Sequence, residues 1–349
     1  MEEYINLLKL LITVPSLSRD EQEAARVIRQ FFTDSKVKYN SKVNNTWVKN
    51  QFWKEGLPVV LLNSHIDTVK PASGYTRNPF SPDVEDGVLY GLGSNDAGGP
   101  LVTLLAVFMH FYALNDLPFN LIYAASAEEE ISGINGLESI LPELGTIDLA
   151  IVGEPTKMQM AIAEKGLMVF DCVAHGKSGH AAREEGENAI YKAIADIEKI
   201  RNFRFEKVSG ILGPVKLSVT MVEAGTQHNV VPDKCTFVVD VRTNEHYSNQ
   251  QVCDIVSELI ESDVNPRSIR LNSSGIPISH PIVQRGISLG MDYYGSPTTS
   301  DQAVISYPSI KIGPGDSARS HTADEYILIS EIEEGFKIYV DLLSGLQLR

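Results

Sequence analysis

The chain is poor in cysteine, with Cys172, Cys235 and Cys253 its only three among 349 residues. An odd number at wide spacing, with no Cys-x-x-Cys pair, argues against a disulfide framework and a thiolate zinc site and for a reducing compartment. No apolar run is long enough to span a bilayer. The longest, from about Leu101 to Leu114, is interrupted by His110. The opening Met1-Glu2-Glu3 lacks the basic stretch before an apolar segment that marks a secretory signal, so a cytoplasmic protein is expected. Positive charge is also scarce: 30 Lys+Arg stand against 45 Asp+Glu, a formal charge of −15 with no local basic patch, which excludes nucleic acid and anionic membranes as expected partners. Internal repeats, low-complexity segments and Pro/Gly/Ser-rich linkers are absent too.

What is present is a globular composition, 43% hydrophobic and 21% charged. The length suggests two domains and a core that needs no disulfide support. Ser18 with Glu21 reads as a capping box before an N-terminal helix, and Ser330 with Glu333 as another before a C-terminal helix reaching about Leu346. Apolar runs at Val59–Asn63, Leu121–Ser126, Leu149–Gly153 and Ile310–Gly313 predict buried strands, and Pro100 predicts the first turn of a helix running to about Tyr112. Strands alternating with helices define a layered α/β domain. Between them the rhythm changes: strand Leu167–Ala174, a helix near 188–200, strands Val215–Val222 and Thr236–Val241, a helix near 249–262 and a last strand at about Ser268–Leu271. This βαββαβ order is ferredoxin-like. It predicts a domain at 164–273 inserted into a discontinuous one formed by 1–163 and 274–349.

Five segments after apolar strands carry the chemistry. In Asn63-Ser64-His65-Ile66-Asp67-Thr68, His65 and Asp67 point to one side of a strand end, so Asp67 can hold the second nitrogen of a metal-binding His65. Asp96 lies among small residues in Gly91-Leu-Gly-Ser-Asn-Asp96-Ala-Gly-Gly, which permit a tight turn and close backbone approach; no Gly-Lys-Ser/Thr follows, so this is not a P-loop. Ala127-Glu128-Glu129-Glu130 sets three carboxylates together, which need a cation if buried. Gly153-Glu154-Pro155-Thr156 and Ser320-His321-Thr-Ala-Asp-Glu325 complete the group. Each has an ordinary alternative as a turn, a helix cap or a solvated loop. If the strands share one sheet, two imidazoles and several carboxylates meet at its carboxyl edge, a donor set that suits zinc, cobalt or manganese.

These motifs, in this order from residue 65 to 325, resemble the M20 peptidase family of co-catalytic zinc amidohydrolases, which includes acetylornithine deacetylase, succinyl-diaminopimelate desuccinylase, acetyl-lysine deacetylase and carboxypeptidase G2-type enzymes. The resemblance implies a zinc-exopeptidase-like catalytic domain, a mixed sheet flanked by helices, with the insert as lid and dimerisation domain. It implies two divalent ions, one held by His65, Asp96 and Glu154 and the other by Asp96, Glu130 and His321, with Asp96 bridging. Asp67 would orient His65 and Glu129 would act as general base; a one-residue shift of these roles, to Glu128 and Glu129, stays open. His180, in His-Gly-Lys-Ser-Gly-His-Ala-Ala, resembles a lid residue that reaches an active site across a homodimer, and Asn229 and Arg242 match lid positions that hold substrate. The chain departs from many relatives in reading Asp96-Ala-Gly-Gly, without the usual Lys-Gly, and in its 131–136 segment. The expected reaction is hydrolysis of the amide of an N-acyl amino acid, first acetylornithine as in arginine biosynthesis. The alternatives are a desuccinylase, an acetyl-lysine deacetylase, a metallo-dipeptidase and, outside the enzymes, a metal-binding regulatory protein on the same scaffold.

Overall fold

The computed structural model describes residues 1–348 and divides into two compact units. The first comprises 1–162, 275–294 and 300–349, and the second 163–274 with 295–299.

The first unit is built on a mixed sheet. In spatial order its central strands are Asn45–Lys49, Asn120–Ser126, Val59–His65, Leu149–Val152 and Ser309–Lys311. The last four run parallel, and Asn45–Lys49 is antiparallel to its neighbour. Their apolar runs are continuous because both faces are covered. Val60, Leu62, Leu121, Tyr123, Leu149 and Ile151 enter one core with the helices Gln22–Asp34, Gly99–Tyr112 and Ile329–Leu343. The alternate residues Val59, Leu61, Ile122, Ala124, Ala150 and Val152 meet the helix Leu137–Leu144 on the other face. Parallel strands of period two thereby bring all their carboxyl ends to one edge.

Two expected helix caps fall elsewhere. The helix expected after Ser18 begins at Gln22, and Ser18 donates its hydroxyl to Asp67 (2.7 Å) instead of capping, while Glu21 is buried and accepts from the Arg19 amide (2.6 Å) and Asn44 (2.8 Å). At the C-terminal helix the side chain that closes onto the cap is Glu331, accepting from the Leu328 amide at 3.0 Å, so the start lies at Ile329 and the Ser330–Glu333 pairing is not used. Pro100 does lie in the first turn of its helix.

The second unit has the order strand Gly166–His175, helix Ala189–Asn202, strands Lys216–Ala224 and Lys234–Thr243, helix Asn249–Leu259 and strand Asp263–Pro266. All neighbours in its four-stranded sheet are antiparallel, and the first strand lies between the third and the fourth, which is the ferredoxin-like arrangement. The fourth strand was expected at Ser268–Leu271. It forms at 263–266 instead, where Asp263–Pro266 pairs with Phe170–Val173 along one edge, and a mostly exposed edge strand needs no apolar run. Met168, Phe170 and Cys172 alternate into a separate core with Phe237, Val239, Ala193 and Val256. All three cysteines are free and buried, and burial pushes the Cys172 thiol up to about 12. Among the described residues no helix is long and apolar enough to cross a membrane.

Candidate metal centre

His65 ends the strand Val59–His65 and is 2% exposed. Its Nδ1 lies 2.9 Å from the main-chain oxygen of Asp67 and 3.5 Å from that residue's carboxylate, so the imidazole is oriented first by a backbone carbonyl. The Asp67 carboxylate has further work. It accepts the amides of Glu129 (3.0 Å) and Glu130 (3.1 Å) as well as the Ser18 hydroxyl, and so ties the acidic triplet to the end of the neighbouring strand. Burial alone would raise Asp67; its bonds from His65, Ser18 and the Glu129 amide hold it below the usual carboxylate range.

His65 Nε2 faces the site. Asp96 Oδ1 lies 3.4 Å away, Glu154 Oε1 3.8 Å and Glu129 Oε2 3.9 Å. Asp96 turns its other oxygen toward the second imidazole, Oδ2 lying 3.6 Å from His321 Nε2, while Glu130 Oε2 lies 3.0 Å from the same nitrogen. Asp96 therefore faces both histidines, one oxygen to each. Two sets bring all their donor atoms within 4.8 Å of one another: His65, Asp96 and Glu130, and His65, Glu129 and Glu154. The turn that delivers Asp96 needs Gly93, whose φ is +75° and whose position leaves 2.5 Å between a hypothetical Cβ and Thr68 Cγ2.

Within the triplet, Glu128 adopts a left-handed backbone (φ +55°) and turns away from the histidines, accepting from Asn135 Nδ2 at 3.0 Å and its amide at 3.3 Å. Glu129 and Glu130 are the two that face them. The electrostatics are those of carboxylates crowded in a dry place. Burial pushes Glu129 well above the usual range, with Glu154, Asp301 and Glu130 adding to it, and pushes Glu154 up to about 8. Burial would lower His65, yet Asp67, Asp96, Glu129 and Glu154 together raise it well above the ordinary histidine value. The Glu130 carboxylate raises His321 to about 9. Two buried polar atoms at the centre, His65 Nε2 and Glu130 Oε1, have no hydrogen-bond partner. A divalent cation answers both, and a set of imidazoles and carboxylates without sulfur fits zinc, cobalt or manganese.

Two supporting residues had no assigned role in the sequence. Glu325, 2% exposed, accepts the amides of Gly93 (3.0 Å), Asn95 (2.9 Å) and Asp96 (2.9 Å), and burial pushes it up to about 7 against those bonds. Its position in the His321-Thr-x-x-Glu motif was the available signal. Asp301, buried among Asn63 and Ser126, had none.

The three remaining candidates lie in the second unit. His180 and Asn229 come together where Gly179–His180 pairs with Val230–Val231, the Ala181 amide donating to the Asn229 oxygen at 3.0 Å; both side chains are exposed. His180 Nδ1 accepts from the Ala182 amide at 3.1 Å. Arg242 stands apart on Lys234–Thr243, its Nε and Nη2 donating to the two oxygens of Asp240 at 3.0 and 3.1 Å.

A parallel-stranded α/β layer with histidines and carboxylates gathered at its carboxyl edge defines a metallohydrolase-type site. Residues 61–345 match Peptidase family M20/M25/M40, and the chain belongs to that family, making it a hydrolase acting on amide bonds. A succinyl-diaminopimelate desuccinylase of Wolbachia pipientis wMel is 26% identical over 98% of this chain and 92% of that protein. Among solved structures, the aminopeptidase PepT of Bacillus cereus is similar with a TM-score of 0.78 at 18% identity, covering 99% of this chain and 98% of that one. The Bacillus subtilis YXEP protein, described as a dinuclear metal-binding peptidase of the M20 family, gives 0.74 at 17% identity, with 100% and 99% covered.

Proposed function

We propose that the protein is a binuclear metal-dependent deacylase that cleaves the amide of an N-succinyl amino acid. The observation that carries the metal-dependent part is the convergence of His65, Asp96, Glu130, Glu154 and His321, with buried His65 Nε2 and Glu130 Oε1 left unpartnered. The succinyl preference is supported by the relatives named succinyl-diaminopimelate desuccinylase, the alternative rather than the first expectation; the acetylornithine reading has no support from them.

His65, Asp96 and Glu154 would hold one ion and Asp96, Glu130 and His321 the other, zinc being the leading candidate. When bound, such ions polarise the amide carbonyl and bring the pKa of a water toward neutrality. Glu129 takes the proton from the attacking water and returns it to the leaving amine, a role suited to a carboxylate in a desolvated pocket that is not needed as a ligand. Asp67 holds Glu129 and Glu130 in place through their amides. His180 and Asn229 are assigned to the oxyanion and Arg242 to a substrate carboxylate, with Asp240 fixing Nε and one edge of the guanidinium and leaving Nη1 free for that pairing. A cytoplasmic homodimer joined through the second unit belongs to the same reading.

The test is release of free amine by the zinc- or cobalt-loaded protein from N-succinyl-diaminopimelate, N-acetylornithine and a dipeptide panel. The succinylated substrate is expected to lead in kcat/KM, a chelator to abolish turnover, and Glu129→Gln to cost about 10²–10⁴-fold in kcat. A lead for N-acetylornithine overturns the succinyl assignment, and no hydrolysis of any member overturns the deacylase.

A further inference from the structure

Beneath the metal centre lies a further carboxylate that the mechanism above does not use. Asp301 opens a short turn, Asp301–Val304, and is 7% exposed. A single oxygen, Oδ2, accepts from Asn63 Nδ2 at 2.8 Å and from Ser126 Oγ at 2.7 Å. Asn63 precedes His65 by two residues and so shares its face of the strand. Ser126 is the direct partner of His65 in the parallel register and precedes Glu129 by three residues. One oxygen thus spans the ends of the two strands that carry His65 and the acidic triplet, one layer below the imidazole.

The chemistry of this contact is uneconomical as scaffolding alone. Both partners are neutral donors, and the oxygen of an asparagine would accept both without bringing a charge out of water. A carboxylate here would be explained by divalent cations held at the centre that His65 faces. We propose that Asp301 is a positioning residue for the metal centre: it locks the two strand ends through one shared oxygen, and its charge strengthens the hold of His65 and its neighbours on divalent ions. It acts through Asn63, Ser126 and His65 and touches neither substrate nor metal.

The inference rests on the metal-dependent reading, and its test separates the two. Apo protein is titrated with zinc by calorimetry, a measurement that needs no substrate, and kcat and KM are measured on the substrate the wild type prefers. Asp301→Asn keeps the acceptor and loses the charge: zinc affinity is expected to fall about tenfold while kcat stays within about threefold of wild type. Asp301→Ala loses both, with the same or greater loss of zinc affinity and a fall in kcat of about 10- to 100-fold at little-changed KM. If Asp301→Ala does not fold, Ser126→Ala carries the kcat arm, with a smaller loss expected since one donor remains. Wild-type zinc affinity in Asp301→Asn overturns the proposal, as does wild-type kcat in Asp301→Ala or, in its place, Ser126→Ala. A wild type that binds zinc and hydrolyses no N-acyl amino acid overturns the functional reading instead and leaves the zinc arm to decide on Asp301.

Discussion

Glu325 offers the sharpest test of how the bridging Asp96 is held. Its Oε1 accepts the amides of Asn95 and Asp96 and its Oε2 the amide of Gly93, all within 3.0 Å. In Glu325→Gln the amide oxygen can keep Asn95 and Asp96, but the NH2 group then faces the Gly93 N–H, donor against donor. One charge-assisted bond, worth about 1.5–3 kcal/mol, is lost and a buried donor is left without an acceptor at about 1–3 kcal/mol, so destabilisation of about 2.5–6 kcal/mol is expected. Rotating the amide rescues Gly93 and sacrifices two donors, which is worse. Glu325→Ala strips all three and is expected to cost more, with the turn free to carry Asp96 away from one or both histidines. The assays are thermal unfolding of the apo protein and zinc titration, with zinc affinity expected to drop about tenfold or more in the Gln variant. If Glu325→Gln unfolds at the wild-type temperature and binds zinc as tightly, the turn is held by its own backbone and the argument is refuted.

Asp196, nearly fully buried, receives the Ser262 amide (2.8 Å), the Ser262 hydroxyl (2.7 Å) and the Glu261 amide (3.1 Å), and pairs with Lys199 at 3.1 Å. Asp196→Ala is expected to cost the second unit about 3–5 kcal/mol in denaturant unfolding. Burial would raise Asp196, but these donors hold it below the ordinary carboxylate value. Its contribution is therefore present above the unfolded pKa of about 4 and fades as pH falls through the lower folded value, so the gap between wild type and variant should shrink in acid. A gap constant down to strongly acidic pH contradicts this. A Cβ at Gly133 would lie 2.0 Å from Glu128 Oε2 and 2.5 Å from its Cβ, so Gly133→Ala should displace Glu128, destabilise by about 1–3 kcal/mol and slow turnover through the adjoining Glu129. Gly210→Ala, with open space at that position, is the control expected to change neither stability nor kcat.

Elements buried on both faces were readable because burial writes itself as an unbroken apolar run, as in Val59–Asn63 and Leu121–Ser126. Elements whose stability comes from elsewhere were not. The helix Glu2–Ile12 has no side-chain cap and is held by burying Ile5, Leu7, Leu8 and Ile12. The strand Asp263–Pro266 is polar, ends in proline and exists because an edge was open on Gly166–His175. The caps misread for the same reason: Ser18 has a competing partner in Asp67, 49 residues away, and such long-range competition leaves no local mark.

Most donors of the site were readable because His65, Glu129, Glu130 and Glu154 follow strands that run parallel in one sheet and so end at one edge. Asp96 follows Val88–Tyr90 of a separate antiparallel sheet, and its mark was the glycine-rich segment around it. The groups that hold those donors still were not, since most bind through the main chain, whose N–H and C=O groups are the same at every residue. Asp67 shows this: its pairing with His65 could be inferred from the i, i+2 spacing, but its bonds to the Glu129 and Glu130 amides could not. Asp301 and Asp324 show it more sharply. Each is an aspartate in a polar segment, and nothing local distinguishes them. Asp324 is half-buried near the surface, accepting from the Thr76 hydroxyl at 2.6 Å, whereas Asp301 is sealed under His65 by partners 238 and 175 residues distant. What separates the two is the register that sets Ser126 opposite His65 with Asn63 one step behind. That register is a property of the folded sheet, so a buried carboxylate of this kind can be recognised only once the strands are paired.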